Sequence, residues 1–77
     1  MDILSEIKRK ILEALPDADV EVSGGGGHFT IEVTSAEFNG KTIIQKQRMV
    51  YKAIWDLMQG DNAPVHAIDQ MTCNSKG

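Results

Sequence analysis

A run of four glycines, Gly24–Gly27, separates two short segments in which apolar and polar residues alternate. Residues 20–22 alternate before the run, and residues 28–34 alternate after it. A period of two residues is typical of a half-buried strand, and glycine supplies the positive φ angles that chain reversals need. The sequence therefore predicts an antiparallel hairpin whose two strands are joined by a longer, mobile glycine loop.

Apolar residues at helical spacing lie on both sides of this hairpin. Residues 3–14 form one such segment, with Asp2 as its candidate N-cap. Pro16 ends it, because the residue before a proline avoids helical geometry. A short helical turn is expected over residues 35–38, and a long helix over residues 42–59. The predicted apolar face of the long helix comprises Ile43, Val50, Ile54 and Leu57, extended on one flank by Ile44, Tyr51, Trp55 and Met58.

A third strand is expected over residues 65–71, followed by a frayed end over residues 74–77. The resulting order is α-β-β-α-α-β, which predicts an α+β fold: a three-stranded sheet with the helices packed on one face. A chain of 77 residues buries only about 60% of the surface that its unfolded form exposes. We therefore expect one domain over residues 1–77, without a deep cleft between lobes.

Composition excludes several classes of function. The formal net charge of −3 gives the whole molecule no general attraction to nucleic acid or to a membrane surface. The single cysteine, Cys73, cannot form an internal disulfide or a cysteine-rich zinc site. It lies near the end of the chain, and we expect it to be accessible and without a catalytic role. These features favour the cytoplasm, or a mitochondrial or plastid matrix if a leader has been removed.

Charge is distributed unevenly along the chain. Residues 17–37 contain five acidic side chains and no lysine or arginine, whereas the predicted long helix and the residue just before it are basic. The basic residues there are Lys41, Lys46, Arg48 and Lys52. They form either a solvated helix face or a weak, salt-sensitive contact to nucleic-acid phosphates. Tyr51 and Trp55, one turn apart beside them, belong either to the core or to a protein interface, where aromatic residues and arginine are common.

The two histidines, His28 and His66, each stand at the start of a predicted strand. Each either caps its strand or ligates a metal, since imidazole is a common metal ligand. Two histidines alone do not complete a zinc or iron site, so a metal would need ligands from a partner or a small molecule. Patterns typical of hydrolases, metalloproteases or phosphate-binding loops do not occur, and we expect no enzymatic activity.

The order and spacing of several segments resemble the BolA family over about residues 3–71. An F-x-G element is followed after seven residues by R-x-V, and later by a His-Ala pair. The matching segments are Gly27-His28-Phe29, Ser35-Ala36-Glu37-Phe38-Asn39-Gly40-Lys41, Gln45-Lys46-Gln47-Arg48-Met49-Val50-Tyr51 and Val65-His66-Ala67-Ile68. The stretch Lys46-Gln47-Arg48 is more similar to the short, IbaG-like branch than to the founding branch.

The resemblance implies a class II KH-like fold and a monothiol glutaredoxin as partner. In this family the two proteins share a [2Fe-2S] cluster, to which glutaredoxin contributes a cysteine and a glutathione thiolate. The histidine of the His-Ala pair, here His66, is the family's ligand. The second family ligand lies in the loop between the first two strands, where this chain has glycines, so His28 is the nearby candidate. The isolated protein is expected to be a monomer without cofactor.

The resemblance also leaves a second function open. Some BolA proteins are described as transcriptional regulators in stress responses, and KH-like folds bind nucleic acids. The carriers here would be the four cations Lys41, Lys46, Arg48 and Lys52. A third interpretation is a metal-free interaction module that uses Tyr51 and Trp55.

Overall fold

The computed structural model describes residues 2–60 and 62–76 and contains two helices and a three-stranded mixed sheet. The helices are α1 (Ile3–Ala14) and α2 (Ile43–Ile54), and the strands are β1 (Asp19–Gly25), β2 (His28–Ser35) and β3 (Ala67–Ser75). Two 3-10 turns, Ala36–Phe38 and Trp55–Leu57, precede and follow α2. Strand β2 lies in the centre, antiparallel to β1 and parallel to β3. The predicted order and the α+β class are confirmed.

The helices begin at the capping residues that local chemistry favours. The Asp2 side chain accepts a hydrogen bond from the Leu4 main-chain N–H at 3.1 Å, at the start of α1. Helix α2 begins with a capping box, in which Thr42 and Gln45 exchange hydrogen bonds between side chain and main chain. None of the described helices is long and apolar enough to cross a membrane.

The core lies between the two helices and one face of the sheet. The fully buried side chains of the helices are Ile7, Ile11, Val50 and Ile54, and those of β2 are Phe29, Ile31 and Val33. Phe38, in the first 3-10 turn, is also completely buried. The sequence periods predicted these inward faces, except at the start of α2.

Helix α2 is shorter than predicted, and its first turn is exposed. Its α-helical hydrogen bonding ends at Ile54, not at residue 59, and continues as the 3-10 turn. Ile43 was expected in the core, yet it is 71% exposed. It lies on the same side of the helix as Val50, so the first turn of α2 extends beyond the elements that cover Val50. Ile44 and Trp55 are also exposed, at 60% and 55%.

The glycine run does not form a long, mobile loop, and that prediction is wrong. Gly24 and Gly25 continue β1, and Gly25 pairs with His28. Only Gly26 and Gly27 make the turn, with φ values of +63° and +83°. Two successive positive φ angles are what a two-residue type I′ turn requires, and its twist matches that of the paired strands.

Strand β3 is longer than predicted and contains a bulge. It runs to Ser75, so the predicted frayed end is wrong for Asn74 and Ser75, while Gly77 lies outside the described residues. The Asn74 side chain donates to Glu32 at 3.3 Å, and the Ser75 hydroxyl donates to a main-chain carbonyl at 3.5 Å. These distant partners order a polar segment that has no apolar alternation of its own.

The bulge lies near the start of β3. Phe29 pairs with Ile68 and the next residue of β2, Thr30, pairs with Gln70, so Asp69 is the extra residue. This irregularity lets Ile68, Met71 and Cys73 all pack against the core, although a spacing of three residues separates the first two.

A partly buried polar contact joins the turn after α1 to the end of β2. The hydroxyl of Ser35, which is fully buried, donates to Asp17 Oδ1 at 2.8 Å and accepts from the Glu37 N–H at 3.1 Å. The Ala36 N–H donates to Asp17 Oδ2 at 2.8 Å. The Ala36 bond, and next the Ser35 bond, hold the pKa of Asp17 below its usual range.

Replacing Ser35 with alanine should lower the free energy of unfolding by about 2 kcal/mol, because a hydrogen bond to a carboxylate is lost from a buried position. Urea unfolding at neutral pH measures this loss. Ser23→Ala is the matched control, since Ser23 is exposed on β1, and it should change stability by about 0.5 kcal/mol or less. Equal stabilities of the two variants would contradict a structural role for the Ser35–Asp17 contact.

Candidate metal-ligating site

The start of β3 is held to the start of β2 by the carbonyl oxygen of Gly27. This oxygen accepts hydrogen bonds from the main-chain N–H groups of His66 at 2.8 Å and Ala67 at 2.9 Å. The preceding residue, Val65, is buried, and its N–H donates to the Leu57 carbonyl at 3.1 Å. The main chain at His66 is therefore fixed on both sides, although His66 itself is exposed.

The imidazole of His66 lies against the α-carbon of Gly27. A β-carbon built on Gly27 would approach His66 Cδ2 to 2.4 Å and Cγ to 2.8 Å. Such distances are far below van der Waals contact, so any side chain at this position would displace the ring. The φ of +83° is a second and independent reason for glycine here.

His28 lies at the same corner of the sheet as His66. It is the first residue of β2 and pairs in the parallel register with Ala67, the residue after His66. His28 Nδ1 lies 3.1 Å from Asp69 Oδ1. An ionised carboxylate only accepts hydrogen bonds, so the nitrogen facing it is the protonated one. The neutral ring then keeps the lone pair on Nε2, which is the form that can bind a metal.

The register places the main chain of His28 opposite the residue after His66, and two imidazoles alone are an incomplete ligand set. Among residues 2–60 and 62–76, no group of three or more histidine, cysteine or acidic side chains is arranged to hold a metal ion. A metal bound at this corner would therefore need further ligands from outside the described chain. Both His28 and His66 are exposed, so both can be reached from solvent.

Cys73 does not belong to this corner. It pairs with Val33 in the β2–β3 register, six residues along β3 from Ala67 and hence about 20 Å away. Its side chain packs against the core, and burial raises the pKa of the thiol. Cys73 is thus only partly exposed, and it lies within β3, which continues past it to Ser75.

The 3-10 turn that contains Trp55 is connected to the segment before His66. The Trp55–Leu57 turn is tied to the segment before His66 by the hydrogen bond between Leu57 and Val65. Trp55 is exposed and Tyr51, one turn earlier, is partly buried. Of the two predicted alternatives, a core position is therefore wrong for Trp55, which is on the surface, and an interface role stays a prediction for both residues.

The predicted basic residues lie on α2 and just before its start. Lys41, Arg48 and Lys52 are exposed, whereas Lys46 is partly buried. With Gln45 and Met49, Lys41 and Arg48 line a shallow groove. Within the part of the chain that the structure describes, none of the four cations lies within 4.0 Å of a carboxylate.

Two residues of the corner were missed by sequence reasoning. Asp69 was not singled out, although the spacing of three between Ile68 and Met71 breaks the strand alternation and is typical of a bulge. In the sequence, Gly27 is one of four successive glycines. Sequence offered no signal that separates it from Gly26, because its role depends on the distant His66.

Comparison with known proteins relates this architecture to one family. A family model described as BolA-like protein matches residues 5–76. The acid stress protein IbaG of Escherichia coli (strain K12) is 33% identical over 64 residues, which cover 83% of this chain and 74% of that protein. An uncharacterized protein from the rpoN-murA intergenic region of Acinetobacter guillouiae is 35% identical over 65 residues, covering 83% of this chain and 76% of that one.

Solved structures agree with these sequence relatives. A Bol-like protein from Babesia bovis has a TM-score of 0.81 and 27% identity, covering 100% of this chain and 88% of that one. A BolA homologue from Coxiella burnetii has a TM-score of 0.75 and 32% identity, covering 96% and 92% of the two chains. BolA1 from Arabidopsis thaliana, with a TM-score of 0.81, 16% identity and coverage of 97% and 93%, shares the fold.

Replacing Gly27 with alanine should move the His66 ring, whereas the same change at Gly26 should not. Both glycines have positive φ angles, so both variants bear the cost of a left-handed alanine. Only at Gly27 does the new β-carbon meet another residue, since nothing lies within 4 Å of the Gly26 position. The imidazole resonances of His66 in NMR spectra report the displacement. Equal shifts in both variants would contradict the close contact between Gly27 and His66.

Proposed function

This chain belongs to the BolA-like protein family, and we propose that it is a non-catalytic adaptor that binds a monothiol glutaredoxin. In the complex, His66 would ligate a [2Fe-2S] cluster together with a glutaredoxin cysteine and a glutathione thiolate. His28 is the second candidate ligand from this chain. The proposed role is in iron–sulfur cluster trafficking or in iron and stress regulation. A role in stress regulation agrees with the name of the related acid stress protein IbaG.

The observation that carries the proposal is the fixed, exposed position of His66. Two hydrogen bonds to one carbonyl hold its main chain, and a glycine α-carbon supports its ring. A ligand held in this way loses little conformational freedom on binding, which favours coordination. Mixed ligation by thiolates and imidazole also raises the reduction potential of such clusters relative to thiolate ligation alone. That property suits a cluster that is passed on or sensed.

The surroundings of His66 suit the approach of a second protein. Gly27, which contacts the His66 ring, lacks a side chain, and the residue after His66 is the small Ala67. Trp55 is exposed, and Leu57 of the same 3-10 turn is hydrogen-bonded to Val65, the residue before His66. Large aromatic side chains are common anchors at protein interfaces. We therefore include Trp55, with the exposed part of Tyr51, in the proposed glutaredoxin surface.

His66→Ala should abolish the visible absorption and circular dichroism that distinguish the heterocomplex cluster, because the ligand is removed. His28→Ala should change these spectra partly if His28 ligates, and leave them unchanged if it only caps β2. The measurement uses each variant mixed with cluster-loaded monothiol glutaredoxin.

An unchanged spectrum for His66→Ala would contradict the ligand assignment. If His66→Ala also bound apo and cluster-loaded glutaredoxin with equal, wild-type affinity, the metal-free interaction module would be the better description. Far-ultraviolet circular dichroism of each variant controls for loss of the fold.

Nucleic-acid binding is the second candidate, and the exposed, unpaired cations on and before α2 favour it. The acidic pI of about 5.2 opposes it, so the expected affinity is low. Three or four phosphate contacts predict a slope of about −3 to −4 when the logarithm of the affinity is plotted against that of the salt concentration. Arg48→Gln should reduce the slope by about one, and Arg9→Gln, an exposed control on α1, should not. No measurable DNA binding at low salt removes this candidate.

A further inference from the structure

We propose that Asp69 is a positioning residue that fixes the orientation and tautomer of His28. In this role, Asp69 makes Nε2 of His28 the nitrogen that is presented to a metal. The proposal rests on the function proposed above and adds a residue to the same site. It also has a consequence in the isolated protein, where no cluster is needed to observe it.

The bulge in β3 gives Asp69 its position. A regular ladder would pair Asp69 with Thr30, but Thr30 pairs with Gln70, and Asp69 has no partner on β2. An unpaired residue in a bulge is released from the alternation of the strand, and bulges often redirect a side chain in this way. The Asp69 carboxylate reaches back to the first residue of β2, where Oδ1 lies 3.1 Å from His28 Nδ1.

The core explains why the bulge persists. Ile68 and Met71 both pack inward, and so does Cys73 farther along β3. Without the extra residue between Ile68 and Gln70, Met71 would face away from the core, since side chains alternate along a strand. Burial of these apolar residues therefore holds Asp69 in place independently of any interaction with His28.

The chemistry of the pair determines which nitrogen is free. The carboxylate accepts a hydrogen bond and donates none, so Nδ1 carries the proton and Nε2 carries the lone pair. Metal-ligating histidines commonly donate their second ring N–H to a carboxylate, which orients the ring and increases its basicity. The loop between β1 and β2 offers no other imidazole or thiol, and this support makes His28 the effective second donor.

The competing explanation is an ordinary surface ion pair. Both side chains are 59% exposed, and pairs this exposed contribute little to stability. Unfolding measurements cannot separate the two explanations for this reason. The tautomer of His28 can separate the two explanations, because a surface ion pair requires a protonated imidazole, whereas the positioning role concerns the neutral ring.

The first measurement is NMR on the isolated, ¹⁵N-labelled protein at alkaline pH, on the neutral imidazoles. Two-bond correlations between ring protons and nitrogens identify the protonated nitrogen. We expect His28 to carry its proton on Nδ1 in the wild type and to shift toward the Nε2–H form in Asp69→Ala. Gln70→Ala is the matched control, since Gln70 is the next exposed residue of β3 and pairs with Thr30 instead. His66 serves as the internal reference and should not change in either variant.

The second measurement is transfer of the cluster from loaded glutaredoxin to the heterocomplex. Loss of a carboxylate that supports a ligating histidine typically costs 10–100-fold in metal affinity. Asp69→Ala should therefore weaken formation of the cluster-bound complex by about that factor, and Gln70→Ala should leave it at the wild-type level.

Each outcome bears on a different claim. An unchanged His28 tautomer in Asp69→Ala overturns the positioning role, and so does a changed tautomer with wild-type cluster binding. A wild-type protein that forms no cluster-bound complex overturns the proposed function itself. In that case the tautomer measurement still decides whether Asp69 orients His28.

Discussion

The contact between Gly27 and His66 is the constraint on which the rest of the corner depends. One carbonyl oxygen receives the N–H groups of His66 and Ala67, and this begins the parallel pairing of β2 with β3. The missing side chain of Gly27 leaves the space that the His66 ring fills. A tight hairpin turn supplies the positive φ that only glycine adopts easily. Gly27 therefore contributes to the hairpin turn, to the junction of β2 with β3 and to the position of the candidate ligand His66.

Periodicity predicted the parts of the fold that repeat, and it failed where distant partners decide the structure. The apolar periods located α1, β2 and the inner face of α2, since burial of those faces drives the fold. The length of β3 could not be predicted from its own polar end, because Asn74 is ordered by Glu32 across the sheet. The exposure of Ile43 depends on where the neighbouring elements stop, which its helical phase does not encode.

The residues of the candidate site also divide into those that the sequence predicts and those whose role depends on distant partners. Both histidines could be identified from their positions at the starts of the predicted strands, and the parallel pairing places His28 opposite Ala67, the residue after His66. The contribution of Asp69 depends on a bulge, and the contribution of Gly27 depends on a ring that lies 39 residues away in sequence. The family resemblance predicted the partner and the cluster, and these remain proposals that the geometry supports through exposure, fixed main chain and an incomplete donor set.

The central claim is that an imidazole of this chain binds iron in a complex with glutaredoxin. The most direct measurement is pulsed electron paramagnetic resonance of the reduced cluster, prepared with ¹⁵N-histidine in this chain and natural glutaredoxin. The account predicts ¹⁵N couplings of a size typical of iron-bound imidazole, and loss of the His66 contribution in His66→Ala. A cluster that shows no ¹⁵N coupling in the wild-type complex would contradict the account.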